Sequence, residues 1–378
     1  MHDIRDSAKP LAGFMAIGVA WAAFFAQMPV IKAGVGASDA AYGLAVLWAA
    51  LGAVAALWLA PLAQRLGGRW AVSFCTMMLA AALLGAGLVP TLWGLALMLL
   101  LLSAGSGVID ILVNAQVVDA EARSGRALMN LNHGLYSFAY AGAALSVGVL
   151  REAGWLPWQV FALMVLLFSV LALFAVQSPV PLEDTALQAP GGLPTKLVLL
   201  AGALVFFAFL VEAVTEGWSA LHIERSLAGS AQQGALGPAL LGLMMGVGRL
   251  SGHALAQFVS EARLMMLACV VTALGLAGAA LAPTVLWALV SFALGGLGVS
   301  VLAPLALALV GRAVAPHLRL AVIGRVSVLG YGAFFAGPPM MGMIAQGYSL
   351  SVAFMSFAVM IGVVAVTLVP WLARESAG

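Results

Sequence analysis

The sequence predicts an all-α membrane protein of twelve transmembrane helices, arranged as two six-helix bundles related by pseudo-two-fold symmetry. Of its 378 residues, 64% are hydrophobic and 8% are charged, and the mean hydropathy is +1.11. Soluble domains carry roughly 25% charged residues, and a chain of this size cannot hide so much apolar surface from water. Apolar stretches of about twenty residues recur twelve times, and the second half of the chain is a weak copy of the first.

The twelve predicted helices follow one another with short loops that carry Gly, Pro and most of the charge. The first apolar run, 11–31, follows basic residues, but it is of spanning length and further spans follow it, so we expect a retained helix and not a cleaved signal peptide. Cys75 and Cys269 lie in apolar runs of different halves and do not indicate a disulfide scaffold. The helices are centred near residues 21, 50, 80, 105, 138, 166, 208, 247, 273, 298, 333 and 361.

A polar segment with four prolines, 177–195, divides the chain at its midpoint. Its composition is typical of a flexible linker. We therefore predict an N-terminal bundle over 1–176, a cytoplasmic linker over 177–195 and a C-terminal bundle over 196–378.

The distribution of basic residues predicts that both termini are cytoplasmic. Cytoplasmic loops of membrane proteins carry an excess of Lys and Arg. With the N-terminus inside, 11 of the 16 basic residues fall on the inner side and 3 on the outer side, the other two lying within helices. The outer three are Lys32, Arg151 and Arg225.

An offset of 193 residues relates the two halves. It superposes the sequence Leu-Ala-Gln at 62–64 on 255–257 and Pro-Thr at 90–91 on 283–284. It also places Gly105 on Gly298, whereas Asp110 falls on Ala303. Parallel repeats of this kind are one way in which transporters are built, with the substrate site at the interface between repeats.

The loop after the second predicted helix reads LAQRLGGR from Leu62 to Arg69. It resembles the Gly-x3-Asp-Arg-x-Gly-Arg-Arg motif of the major facilitator superfamily. The matching positions are Gln64, Arg65, Gly67 and Arg69, with Gln64 where the family has an acidic residue. The resemblance implies a loop that helps to lock one conformation, here with a weaker contact or with neutral hydrogen bonds.

Within that superfamily the chain is most similar to the fucose-permease-like branch and its uncharacterised bacterial inner-membrane relatives. The similarity lies in Asp110-x3-Asn114, in Asn-His-Gly-x-Tyr-Ser at 132–137, in Glu212 and Trp218, and in Gly-Pro-Pro-x-x-Gly at 337–342. The resemblance implies a bacterial inner-membrane location and a cavity lined by helices 1, 4, 7 and 10.

Asp110, Asn114 and His133 lie within otherwise apolar sequence. An ionisable side chain at membrane depth is costly and marks a functional site by default. Asp110 and Asn114 are four residues apart and share one helix face. Asp110 is either a proton-coupling carboxylate, with His133 sharing the proton, or a fixed structural group held by His133.

A second polar group is predicted on helices 7 and 8. Glu212 and Glu216 share a helix face, and Arg249 is a plausible partner for Glu212. Such a pair is either a gate or a structural bridge, and Glu212 is also a candidate to bind solute.

Several aromatic and polar side chains are candidates to line a cavity, with core packing as the alternative. Aromatic rings with polar edges suit a neutral polyol or another polar metabolite. The predicted solute-binding residues are Trp21, Phe24, Gln27, Asn114, Tyr136, Tyr140, Glu212 and Tyr331.

These features predict a secondary transporter for a small polar organic solute, working as a proton-coupled symporter. The sequence contains no nucleotide-binding loop and no metal-ligand cluster. We expect no enzymatic activity, no cofactor and no nucleic-acid partner. The expected partners are the solute, protons and the lipid bilayer, with the chain acting as a monomer. A proton-driven exporter, an uncoupled facilitator and a transporter-derived sensor are the alternatives.

Overall fold

The computed structural model describes residues 2–126, 128–180, 194–255, 258–315 and 318–377, which form sixteen α-helices and no strand. A 3-10 turn, Gly68–Trp70, and a π-helical turn, His222–Ser226, complete the regular structure of these ranges. The helices are α1 His2–Gly34, α2 Asp39–Ala45, α3 Leu47–Gly67, α4 Ala71–Leu88, α5 Leu92–Ser124, α6 Met129–Glu152, α7 Pro157–Phe174, α8 Thr195–Leu221, α9 Ala231–Leu255, α10 Glu261–Ala280, α11 Val285–Val299, α12 Leu302–Ala313, α13 Arg319–Tyr331, α14 Ala333–Gly347, α15 Leu350–Val366 and α16 Leu368–Ala377.

The predicted all-α membrane fold is confirmed. Ten segments of the described chain are long and apolar enough to cross a bilayer. One of them, Asp39–Leu88, is 50 residues long and contains both α3 and α4, which is enough for two crossings. Together with α6, a helix of 24 residues that packs along α1, these segments are consistent with twelve spans.

The chain forms two compact units. The first contains Met1–Leu182 and also Ala228–Ala239, and the second contains Glu183–Leu227 and Leu240–Gly378. The start of α9 therefore packs with the first unit, whereas the sequence-based division assigned it to the C-terminal bundle. The predicted linker falls mostly within 181–193, outside the described residues.

Helix ends repeat the 193-residue offset. The Thr91 hydroxyl accepts a hydrogen bond from the N–H of Gly94 at the start of α5. The Thr284 hydroxyl does the same for the N–H of Trp287 at the start of α11. Both threonines satisfy an otherwise unpaired donor of the first helical turn.

Close helix packing repeats with the same offset. A Cβ atom placed on Gly105 would lie 3.5 Å from the Cys75 carbonyl oxygen and 3.7 Å from the Leu79 nitrogen. A Cβ atom on Gly298 would lie 2.7 Å from each of the equivalent atoms, in the two residues 193 positions further on. The same pairs of helices thus pack through the same glycine in each unit, as close approach of membrane helices requires.

Candidate solute and proton sites

Asp110 lies on a polar stripe of α5. Ser106, Asp110 and Asn114 follow one another at intervals of four residues and therefore share a helix face. The Asn114 side-chain amide donates to an Asp110 carboxylate oxygen at 3.0 Å and to the Asp110 carbonyl at 2.8 Å. Asp110 is exposed, and within the described chain its carboxylate forms no ion pair. The Asp110 carboxylate on this stripe is thus oriented by the Asn114 amide and not by a cation.

Trp21 of α1 contacts the same stripe. Its indole N–H donates to the Ser106 hydroxyl at 3.0 Å. The indole stacks on Phe25, with ring centroids 5.4 Å apart and an interplanar angle of 26°. Ser106 is a residue that the sequence did not single out, and it fixes an aromatic pair one helical turn from Asp110.

His133 lies near the start of α6 and is half-buried. Its ring lies 4.8 Å from the ring of Phe14 on α1, and its carbonyl accepts a hydrogen bond from the Ser137 hydroxyl at 3.1 Å. The hydrogen bonds of Asp110 in the described chain go to Asn114. In this structure His133 packs on α1 and does not hold the Asp110 carboxylate.

The predicted solute-binding residues divide by exposure. Tyr136 is half-buried and packs on Gly18, where an added Cβ atom would lie 3.1 Å from the tyrosine ring. Phe24 and Tyr140 are buried within the helix packing.

Gln27 is also buried, with a side chain that is 0% exposed and whose two amide atoms find no partner among the described residues. It lies six residues beyond Trp21, and the two side chains are therefore separated by roughly 120° around the helix axis. The amide consequently faces the interior of the helix packing in this structure.

The second unit contains the predicted charged pair. Arg249 of α9 lies 3.7 Å from the Glu212 carboxylate of α8, and the two side chains are 33% and 21% exposed. Glu216, one turn along α8, is half-buried, whereas Trp218 is buried at 1% exposure. The ion pair is therefore partly desolvated but reaches the surface of the unit.

Three aromatic rings form a cluster in the same unit. Phe209 is three residues before Glu212 on α8, and its ring lies 5.8 Å from Tyr331 at the end of α13 and 5.8 Å from Phe334 in α14. Phe209 and Phe334 were not predicted, because an aromatic residue in an apolar helix gives no signal that separates a site from core packing.

The loop between α3 and α4 makes the neutral contacts that its sequence allows. The Gln64 side-chain amide donates to the Val180 carbonyl at 2.9 Å. The Gln177 N–H donates to the Arg69 carbonyl at 3.2 Å. Arg65 and Arg69 are exposed, and Gly67 precedes Gly68, whose positive φ of 52° ends α3. These hydrogen bonds attach the residues that follow α7 to the loop.

Two further residues were not predicted as functional, Arg151 and Glu152 at the end of α6. The Arg151 guanidinium is buried and donates to the Ala26 carbonyl at 2.6 Å and to the Ala231 carbonyl at 3.4 Å. The neighbouring Glu152 carboxylate accepts a hydrogen bond from the Gln232 N–H at 3.0 Å. These contacts join α6 to α1 and to the first turn of α9, and they explain why that turn belongs to the first unit.

Known proteins similar to this chain include membrane transporters. No family model matches the sequence. The chain is 31% identical over 370 residues to an uncharacterised MFS-type transporter of Yersinia pestis, covering 96% of this chain and 94% of that protein. It is 26% identical over 356 residues to membrane protein MosC of Rhizobium meliloti, covering 93% of this chain and 86% of that protein.

Solved structures of transporters share the fold. A bacterial homologue of the human lysosomal transporter Spinster, in an inward-facing and occupied conformation, has a TM-score of 0.77 at 14% identity, over 98% of this chain and 96% of its own. The nucleoside transporter NupG has a TM-score of 0.73 at 16% identity, over 98% of each chain. A D-xylose–proton symporter has a TM-score of 0.70 at 14% identity, over 96% of each chain. At these identities the likeness concerns the fold alone.

Proposed function

Because the chain belongs to the major facilitator superfamily of transporters, we propose that it moves a small polar organic solute across the bacterial inner membrane by alternating access, coupled to protons. The protein is a transporter and not an enzyme. In this proposal both termini are cytoplasmic, as the charge bias of the loops favours, and the working form is a monomer.

The proposal of proton coupling depends on the lack of other charged side chains in the helix segments around Asp110. Residues 10–31 of α1, 92–118 of α5 and 129–150 of α6 contain one formally charged side chain, Asp110. Asp110 is exposed in this structure, and an uncompensated carboxylate that loses its exposure to water when the conformation changes costs several kcal/mol. Protonation removes this cost, so the protonated and ionised carboxylates favour different conformations, and the proton gradient can drive the change between them.

His133 is the second titratable group in these segments, and we assign it a share in proton transfer. A neutral imidazole can accept the proton that the carboxylate releases. Its packing on Phe14 of α1 would couple the charge of the ring to the position of that helix.

We assign solute binding to the accessible members of the predicted set. In the first unit these are Trp21, Asn114 and Tyr136, which the structure leaves partly exposed. In the second unit they are Tyr331 and Glu212. Glu212, Arg249 and Glu216 would also form a charged gate, because a pair at 3.7 Å can separate at modest cost when water enters.

Two classes of solute are the first to test. The structural neighbours include a nucleoside transporter and a D-xylose–proton symporter. The finer resemblance to the fucose-permease-like branch favours sugar-like solutes. The matched panel is therefore D-xylose, L-fucose, D-ribose and uridine.

The decisive experiment is solute uptake into proteoliposomes that contain a pH-sensitive dye. Wild-type protein should take up a member of the panel and acidify the lumen, and Asp110→Asn should abolish both the acidification and uptake against a gradient. Asp119→Asn is the matched control, because Asp119 lies on the same helix but pairs with Arg123. Equal proton flux in wild-type and Asp110→Asn protein would exclude the proposed coupling.

The same assay separates the alternative functions. Lumenal alkalinisation on solute addition indicates exchange and therefore export. Solute flux without proton flux indicates a facilitator. Solute binding without counterflow indicates a sensor.

A further inference from the structure

The rings of Phe209, Tyr331 and Phe334 form one cluster in which the ring planes are near-parallel. The Tyr331 ring lies 5.8 Å from Phe209 and 6.4 Å from Phe334, with interplanar angles of 10° and 29°. Phe209 and Phe334 are 5.8 Å apart at 26°. In a column of three rings the outer two would be about twice as far apart as neighbours. Three similar separations and near-parallel planes therefore describe a triangle of offset-stacked rings, which we call the aromatic floor.

The aromatic floor lies on the polar side of α8. Phe209, Glu212 and Glu216 are spaced three and four residues apart and share one face of the helix. Charged side chains at membrane depth face protein or a water-filled cavity and not lipid. Glu212 lies about 4.5 Å along the helix axis from Phe209. Helical spacing accordingly places Phe209 on the side of α8 that carries the ion pair of Glu212 with Arg249.

The aromatic floor differs from the packed aromatic core of the same unit. Phe292 and Phe354, whose rings are 5.3 Å apart, meet at 63° and are less than 2% exposed. Tyr331 is 47% exposed although it lies within a predicted membrane helix. Both geometries are ordinary for aromatic pairs, so the difference that matters is exposure, because an exposed aromatic ring can stack a further ring.

The backbone fixes Tyr331 in this position. A Cβ atom on Gly330 would lie 2.4 Å from a Val205 methyl group, so glycine permits the close approach of α13 to α8. Gly332, between α13 and α14, keeps helical backbone angles (φ −54°, ψ −23°), so the chain continues through it as one span, Ala321–Gly347.

We infer that the aromatic floor is the stacking platform of the solute, and that the solute carries a flat unsaturated ring. This inference rests on the proposed transport function and specifies its substrate class. A planar ring placed on Tyr331 would continue the near-parallel arrangement. Glu212, which shares a helix face with Phe209, can accept hydrogen bonds and its partner Arg249 can donate them, which suits a ring with both polar donors and polar acceptors.

The test compares ligands that differ in the flatness of one ring. The pairs are uridine with 5,6-dihydrouridine, thymine with dihydrothymine, and benzoate with cyclohexanecarboxylate. Binding to full-length protein in detergent is measured by the shift in thermal unfolding and by competition. The flat member of at least one pair should bind more tightly than its saturated partner.

Variants of Tyr331 test whether the preference for the flat ligand depends on this ring. Base–aromatic stacking contributes about 1–3 kcal/mol per ring, so Tyr331→Leu should weaken binding of the flat ligand roughly 5- to 150-fold. Tyr331→Phe keeps the ring and should retain most of the affinity. Tyr348→Leu is the matched control, because Tyr348 is 80% exposed at the end of α14. If all three rings contribute to stacking, Phe209→Leu should weaken binding of the flat ligand and not of its saturated partner.

Three results would overturn the inference. They are equal affinity for flat and saturated partners in every pair, a preference that persists in Tyr331→Leu, and no binding of any flat ligand. Uptake of D-xylose with proton flux but without a ring preference would overturn the inference and leave the transport function standing. Absence of all solute flux would instead refute the transport function.

Discussion

The Glu152 carboxylate at the end of α6 accepts a hydrogen bond from the backbone N–H of Gln232, in the first turn of α9. The first N–H groups of a helix have no partner within it, and a carboxylate there also meets the positive end of the helix dipole. The hydrogen bond from this N–H is the largest effect that holds the pKa of the Glu152 carboxyl below its usual range, and the hydrogen bond from the Ser230 hydroxyl is the second. A residue of α6 therefore caps a helix that lies 80 positions away in sequence.

Glu152→Gln should lower the unfolding temperature at pH 7 and flatten its pH dependence. A depressed pKa means that the carboxylate stabilises the folded state above the unfolded-state pKa of about 4.3, and that this stabilisation is lost as the pH falls through the folded-state value. Thermal unfolding of the detergent-solubilised protein between pH 7 and pH 3.5 measures both effects. Glu375→Gln is the control, because Glu375 pairs with Lys196 elsewhere in the chain. Parallel pH profiles for wild-type and Glu152→Gln protein would contradict the assignment.

Ser106→Ala should destabilise the protein by about 1 kcal/mol, because the Trp21 indole N–H loses its acceptor. It should also weaken solute affinity, since the stacked Trp21–Phe25 pair is no longer fixed beside Asp110. Chemical unfolding and solute competition measure the two effects.

Ser146→Ala is the control for Ser106→Ala. The Ser146 hydroxyl is exposed and donates to the Gly142 carbonyl of its own helix. An unchanged solute affinity in Ser106→Ala would show that Trp21 does not depend on this hydrogen bond.

The polar stripe also shows how much of the site could be predicted. Asp110 and Asn114 were identifiable because a carboxylate and an amide interrupt an apolar run. Ser106 was not, because serine is common among the small residues of membrane helices. Its role depends on Trp21, which lies 85 positions away in sequence.

Helical spacing alone does not decide which candidate residues are buried. Gln27 and Trp21 are similarly unusual in an apolar helix, yet Gln27 is 0% exposed while Trp21 is half-buried. Which side of α1 meets its neighbours is decided by tertiary packing. The overall fold needed no such information, because length and hydropathy alone limit a spanning segment to a helix.

Gly298→Ala should be more damaging than its repeat counterpart, Gly105→Ala. A Cβ atom at Gly298 would lie 2.5 Å from the Thr272 hydroxyl oxygen and 2.7 Å from the Ala268 carbonyl, so the backbones must separate. Overpacking of this kind costs about 1–3 kcal/mol. At Gly105 the nearest atom is the terminal methyl of Met78, at 3.0 Å, and that side chain is flexible.

Unfolding measurements on the two alanine variants test this asymmetry. Gly142→Ala is the control for helix propensity, because nothing lies within 4 Å of the position of its Cβ atom, and it should be neutral or slightly stabilising. Equal destabilisation by Gly105→Ala and Gly298→Ala would contradict the difference in packing.

Gln64→Glu should release the residues after α7 from the loop between α3 and α4. The Gln64 amide donates to the Val180 carbonyl, and a carboxylate cannot donate and would repel that oxygen. Val180 is 9% exposed, so a cysteine introduced there should react slowly with a maleimide in otherwise wild-type protein and several-fold faster with Gln64→Glu. The native Cys75 and Cys269 are buried and give a low background.

Arg65→Gln is the control for the labelling experiment, because Arg65 is an exposed neighbour of the same loop. It removes a charge without touching the hydrogen bond to Val180. If both variants accelerate labelling equally, the loop charge and not the Gln64 amide holds the segment. If neither does, the Gln177 N–H bond to the Arg69 carbonyl is sufficient to hold it.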